Sequence, residues 1–148
     1  YYDSPQGDQL GSGPLPPLVG LPTNYWVFLR LNGDKLDNVA CTAGLGEGVE
    51  AGLGKSVIDG DLKYDDRNRQ EIWTLGKTID DNPYRLGFEI SFTPKDSQSG
   101  QTPDLVADIS CQGTDPLTGR KIRATAEALD SGLSSDPKNK GLGKVGRP

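Results

Sequence analysis

Glu71, Glu89 and Asp108 are the residues best placed for chemistry in this chain of 148 residues, because each is a carboxylate within a strand-like segment. A pair of carboxylates is the machinery of glycoside hydrolysis, one acting as acid and the other as base or nucleophile. Alternation along their segments puts Glu89 and Asp108 on the outward side, however, where solvated charges normally sit. The chain contains no histidine. It therefore lacks the commonest general base, the usual metal ligand and the near-neutral pH switch, and it cannot build a serine or cysteine triad of the usual form. The expectation is a protein that is not an enzyme.

Two other groupings invite a ligand. Ala51-Gly52-Leu53-Gly54-Lys55-Ser56 looks like the end of a phosphate-binding loop, but such a loop needs a glycine five positions before its Gly-Lys pair. Val49 occupies that position, and the residues after Ser56 run into Asp59-Gly60-Asp61 instead of a helix. A plain glycine-rich loop is expected. Asp59, Asp61 and Asp65, with Asp66 beside them, resemble part of a calcium loop, but Gln70 and Glu71 show that no bidentate Glu stands at the required distance. Asp80 and Asp81 form a second acidic pair. Solvated turns are expected at both places, with no metal and no cofactor.

Trp26 and Trp73 are the large side chains able to stack on a sugar or anchor a protein partner. The cysteines offer a covalent bond instead. Cys41 and Cys111 are the only two, each in the middle of an alternating apolar segment, 70 positions apart. An even count on buried strands reads as one internal disulfide and an oxidising compartment. Closing that loop stabilises the fold by about 4 kcal/mol in the chain-entropy account.

The elements that must position these residues show period two. Tyr84, Leu86, Phe88, Ile90 and Phe92 alternate with Arg85, Gly87, Glu89 and Ser91 between Pro83 and Pro94, a half-buried strand. Tyr25, Val27, Leu29 and Leu31 form one face of an earlier strand, with Trp26 and Phe28 on the other, so that strand is expected to be buried on both sides. Asn32-Gly33-Asp34 ends it as a turn. Val39, Cys41 and Ala43 share a face, as do Leu105, Ala107, Ile109 and Cys111. Shorter strands are expected at 56–58, 62–64 and 71–75. Residues 44–56 are too glycine-rich to assign. Residues 120–129 match both periods, and the turn at Asp115-Pro116-Leu117-Thr118-Gly119 favours a strand.

Residues 1–24 carry Pro5, Pro14, Pro16, Pro17 and Pro22 and read as an extended arm, because proline excludes helix and central strand. Leu15, Leu18, Val19 and Leu21 give that arm apolar teeth. Residues 131–148 form a Gly/Lys-rich tail, which leaves 25–130 as the folded domain. With 20 glycines and 11 prolines, short strands joined by turns are favoured over helices. The expected fold is all-β: an antiparallel sandwich or flattened barrel of about seven to nine strands, with one disulfide and extended arms.

A net charge of −5 gives no bulk support to a phosphate-binding surface, so nucleic acid is not an expected partner. No apolar run reaches the roughly 18 residues of a membrane helix, and no signal-peptide pattern is visible, as in a processed mature chain. The reading is a secreted, extracellular or periplasmic, non-catalytic binding or structural subunit. Its partner is expected to be a protein, its own copy included, engaged by strand or arm exchange through Leu15, Leu18, Val19 and Leu21. The rival is a secreted carbohydrate-binding or small hydrolytic module using Trp26 or Trp73 beside a carboxylate. A secreted inhibitor, toxin or effector would use the same scaffold.

Overall fold

The computed structural model describes residues 2–3, 9–32, 35–78, 83–136 and 139–148. Two antiparallel sheets pack face to face. The smaller has the order β3-β8-β5, made of Thr23–Leu31, Tyr84–Phe92 and Val49–Val57. The larger has the order β10-β9-β4-β7-β6, made of Lys121–Ala126, Asp104–Thr114, Asp37–Leu45, Gln70–Gly76 and Asp61–Asp65. A two-residue strand β11, Leu129–Asp130, also pairs with β9, and Tyr2–Asp3 (β1) pairs with Gln9–Leu10 (β2). The sheets are separate, so the molecule is a sandwich and not a barrel.

Alternation builds the core. On β8, Leu86, Phe88, Ile90 and Phe92 point inward, and β4 answers with Val39, Cys41, Ala43 and Leu45, all buried. Tyr25, Val27, Val49, Trp73 and Val106 fill the remaining space. Burying a side chain of this size removes enough apolar surface to contribute about 1.5–3 kcal/mol. In β9 the alternation breaks. Asp108 has φ +52°, and the register with β4 shifts between Gly44↔Ala107 and Thr42↔Ser110, as at a bulge. Val106 therefore takes a fully buried place while Ala107 is only half-buried.

The disulfide joins neighbours within one sheet. Cys41 and Cys111 face each other across β4 and β9 with their Cα atoms 4.0 Å apart. The glycine-rich stretch expected as a loop is largely strand: β5 runs through Gly52 and Gly54 to Val57. Lys55 and Ser56 thus lie in a ladder with β8, not at a phosphate cradle.

The arm and tail hold one another on the outside of the core. Val19 N–H donates to the Gly146 carbonyl at 3.0 Å, and Gly146 N–H donates to that of Pro17 at 2.8 Å. Ser131 Oγ donates to the Gly143 carbonyl at 2.6 Å, and Val145 is buried. Among the described residues, no helix is long and apolar enough to cross a membrane.

Candidate functional site

The two sheets have unequal widths, and the mismatch makes a cleft. On one side the sandwich is closed, because β5 runs through the bend at residues 58–60 into β6 and carries the chain from one sheet to the other. On the opposite side the edge strands β3 and β10 belong to different sheets, and among the described residues no strand joins them. Between them lies a cleft of about 270 Å³, lined by Phe28–Leu31 from β3, Ile109–Cys111 from β9 and Ala124–Ala126 from β10. Its floor includes the disulfide and the edge of Trp73.

Strand β10 is uncovered along this cleft. Ala124 stands opposite Cys111 and Ala126 opposite Ile109, so both share the inward face of the larger sheet, and alternation puts Ile122 with them. All three are nevertheless exposed, Ile122 at 46%. The outer edge of β3 is open too. Among the described residues its backbone is paired on that side only at Asn24, which exchanges both hydrogen bonds with Ser12 at 2.8 and 3.1 Å. Unpaired edges next to an apolar groove are the setting in which an extended polypeptide adds to a sheet.

A second surface lies on the outer face of the smaller sheet. Here the expectation that β3 is buried on both sides fails, because among the described residues no layer covers that face. Phe28 is 57% exposed, and Trp26 is half-buried only because it lies against glycine. A Cβ added to Gly54 would come within 2.6 Å of the Trp26 ring, and one added to Gly87 within 2.9 Å of the Phe28 ring. The two rings are 19° from parallel with centroids 6.1 Å apart. Trp26 stands directly opposite Glu89 in the ladder.

The other stacking candidate is placed elsewhere. Trp73 is 2% exposed and its indole N–H donates to the Asp59 carbonyl at 2.8 Å, so its faces are inside the sandwich. Of the three strand carboxylates, Glu89 is on the outer face, Asp108 is at the exposed bulge, and Glu71 is in the interior. Glu71 is 2% exposed and its Oε2 has no hydrogen-bond partner. Burial pushes its carboxyl pKa up, an effect only partly opposed by the Lys55 ammonium across the sheet gap. These three do not converge on one cleft.

Asp59, Asp61 and Asp65 serve the turns around β6. The Asp59 carbonyl holds Trp73, the Asp61 carboxylate lies 3.7 Å from the Lys63 ammonium, and Asp65 accepts hydrogen bonds from the backbone N–H of Arg67 and Asn68 and from the Asn68 amide. Those bonds, the Asn68 amide first, hold the Asp65 carboxyl below its usual range. Among the described residues, no group of three or more Cys, Asp or Glu side chains is arranged to hold a metal ion. Asp80, Asp81 and the Gly33-Asp34 turn lie outside the described residues.

The arm residues are engaged with their own chain. Leu15 and Val19 pack against the core, Leu18 forms a bridge with Gly146, and Leu21 is exposed. None of them lines the β3–β10 cleft. Sequence reasoning missed that cleft, although the alternation of Ile122, Ala124 and Ala126 in an otherwise polar hairpin was a visible signal of a face awaiting a cover.

No known protein family matches the chain, and no curated protein matches it. Among solved structures, the crystal structure of the RrgA Jo.In complex matches with a TM-score of 0.54 over 72% of this chain and 70% of that one, at 13% identity. That likeness shows the fold alone. A DUF4466 family protein from Parabacteroides merdae matches at a TM-score of 0.31 and 9% identity over 78% of this chain and 40% of that one, too low to support a shared fold.

Proposed function

We propose that the chain is a non-catalytic binding module of a secreted or cell-surface protein, and that its partner is an extended polypeptide segment received between β3 and β10. The observation that carries this reading is the uncovered inward face of β10 opposite an open edge of β3. A segment pairing with Phe28–Leu31 would become a fourth strand of the smaller sheet. Its inward side chains would then cover Ala124, Ala126 and the half-buried Cys111, which water now reaches.

Four residues of added strand, matching Phe28–Leu31, span about 13 Å. Main-chain hydrogen bonds would supply affinity without sequence preference, and the cleft would select small apolar side chains at alternate positions. The disulfide across β4 and β9 supports the extracellular assignment, because such bonds persist in oxidising compartments. It also fixes the cleft floor. Exchange of the arm between copies is disfavoured in this account, since Leu18 and Val19 would first have to leave their bonds to Gly146.

The test is selection from a displayed library of random extended peptides against the full chain, repeated with Ala124→Lys. Because Ala124 is exposed, that variant folds normally. The reading expects selected peptides with alternating apolar residues that fail to bind Ala124→Lys. Peptides that bind both proteins equally, or an empty selection, would refute it.

A further inference from the structure

The outer face of the smaller sheet carries a second binding site, and we infer that it takes an acidic carbohydrate, an oligosaccharide bearing carboxylate or sulfate groups. Arg30 and Arg85 stand directly opposite each other on β3 and β8, and both are exposed. Like charges so placed destabilise a sheet. Among the described residues neither has an acidic partner: the Arg30 guanidinium donates only to the Asn32 side-chain oxygen at 3.3 Å, and the Arg85 guanidinium has no polar contact. In a chain of net charge −5, two adjacent uncompensated guanidiniums are a local reversal of sign.

The neighbouring positions give the ligand its shape. One rung along the ladder stand Phe28, Gly87 and Ser56, and the next rung holds Trp26 and Glu89. Gly87 has no side chain, so the middle of the face is low, and a cleft of about 390 Å³ runs there between Phe28, Ser56, Ile58 and the two arginines. Exposed aromatic rings offer stacking surface to the C–H faces of a sugar. Two guanidiniums offer bidentate donors to a carboxylate or sulfate, and Ser56 adds a hydroxyl.

A peptide is less well served by this surface. β8 is the central strand with both edges paired, so no backbone ladder is available at Arg85–Glu89, and recognition must come from side chains. Rings beside paired cations suit a ring-shaped anion. The site shares Phe28, Leu29 and Arg30 of β3 with the β3–β10 cleft, and Ser56, Ile58, Arg85 and Gly87 are its own.

Calorimetric titration of the full chain tests the assignment with four probes: a heparin-derived hexasaccharide, an oligogalacturonate, neutral cellohexaose and hexaglutamate. Three variants accompany it: Arg30→Gln/Arg85→Gln, Phe28→Ala, and Lys121→Gln/Arg123→Gln as a charge control on β10. All replaced residues are exposed, so the fold is retained. At least one acidic oligosaccharide is expected to bind, with affinity falling about tenfold or more in the first two variants and unchanged in the third. Cellohexaose is expected not to bind. Failure of both acidic sugars, an equal loss in the β10 control, or no loss in Phe28→Ala would overturn the inference. Equally tight, arginine-dependent binding of hexaglutamate would overturn it in favour of an acidic peptide.

Discussion

Glu71 is the residue whose chemistry departs furthest from its surroundings. A carboxylate in the interior with one oxygen unpartnered is disfavoured in its charged form, so the folded state raises its pKa above the unfolded value. The neutral acid is thus the form the fold prefers. Its contribution is fully present below the unfolded pKa and is lost as pH rises through the folded pKa. Glu71→Gln keeps the shape and removes the titration. Thermal melts should show this variant more stable than the parent at pH 8, with the difference shrinking toward pH 4. A variant less stable than the parent at pH 8 would mean that Lys55 compensates the buried charge. Glu47 runs the other way, because the Lys95 ammonium 2.7 Å from it holds its pKa down. Its exposed pair is expected to weaken as pH falls.

Gly143 makes a second prediction at residue scale. A Cβ there would fall on the backbone of Ser131, which has no freedom to yield. Gly143→Ala should therefore release the tail and expose Val145, at a cost of about 1–3 kcal/mol. Limited proteolysis after Leu133 in the variant, and not in the parent, would register it.

At the scale of elements, strands with unbroken alternation were legible and those made by contact were not. β8 reads directly from Tyr84 to Phe92, and the cysteine-bearing strands β4 and β9 read from Val39, Cys41 and Ala43 and from Ile109 and Cys111. β5 did not, because Gly52 and Gly54 erase the alternation that marks a strand. Those glycines are required where the Glu89 and Trp26 side chains lie across them, a contact between segments distant in sequence. Contacts of this kind explain why Trp26 and Phe28 need no second covering layer. They rest on glycine instead. The bulge at Asp108 offsets the alternation by one residue between its two sides, so Val106 before it and Ile109 after it both face the core. Replacing Cys41 and Cys111 together by serine should cost about 2–4 kcal/mol while leaving the sheet order intact, because neighbouring ladders hold β4 and β9 in place. A drop in denaturation midpoint with unchanged far-ultraviolet circular dichroism would show it.

For the whole molecule, the proposed function rests on sheets of different width and not on any cluster of reactive groups. The candidate site could not be read from sequence because it is a property of topology: no residue of β3 announces that the strand has one neighbour. The arm belongs to the same scale. Deleting residues 1–22 removes the packing of Leu15 and Val19 and the bonds to Gly146 and Pro94, so it should lower stability by a few kcal/mol at most. It should leave the mass in solution unchanged, whereas loss of a larger assembly on truncation would restore arm exchange as the mode of association.

The central claim is that the β3 edge is open in the free chain and closed by an added strand. Residue-resolved amide hydrogen exchange, measured on the free protein and with a library-selected peptide in excess, tests it most directly. The account predicts slow exchange throughout β8, a set of fast amides within Phe28–Leu31 on the side away from β8, and protection of that set when the peptide binds. Uniform protection of Phe28–Leu31 in the free chain, or fast exchange there that the bound peptide leaves unchanged, would contradict it.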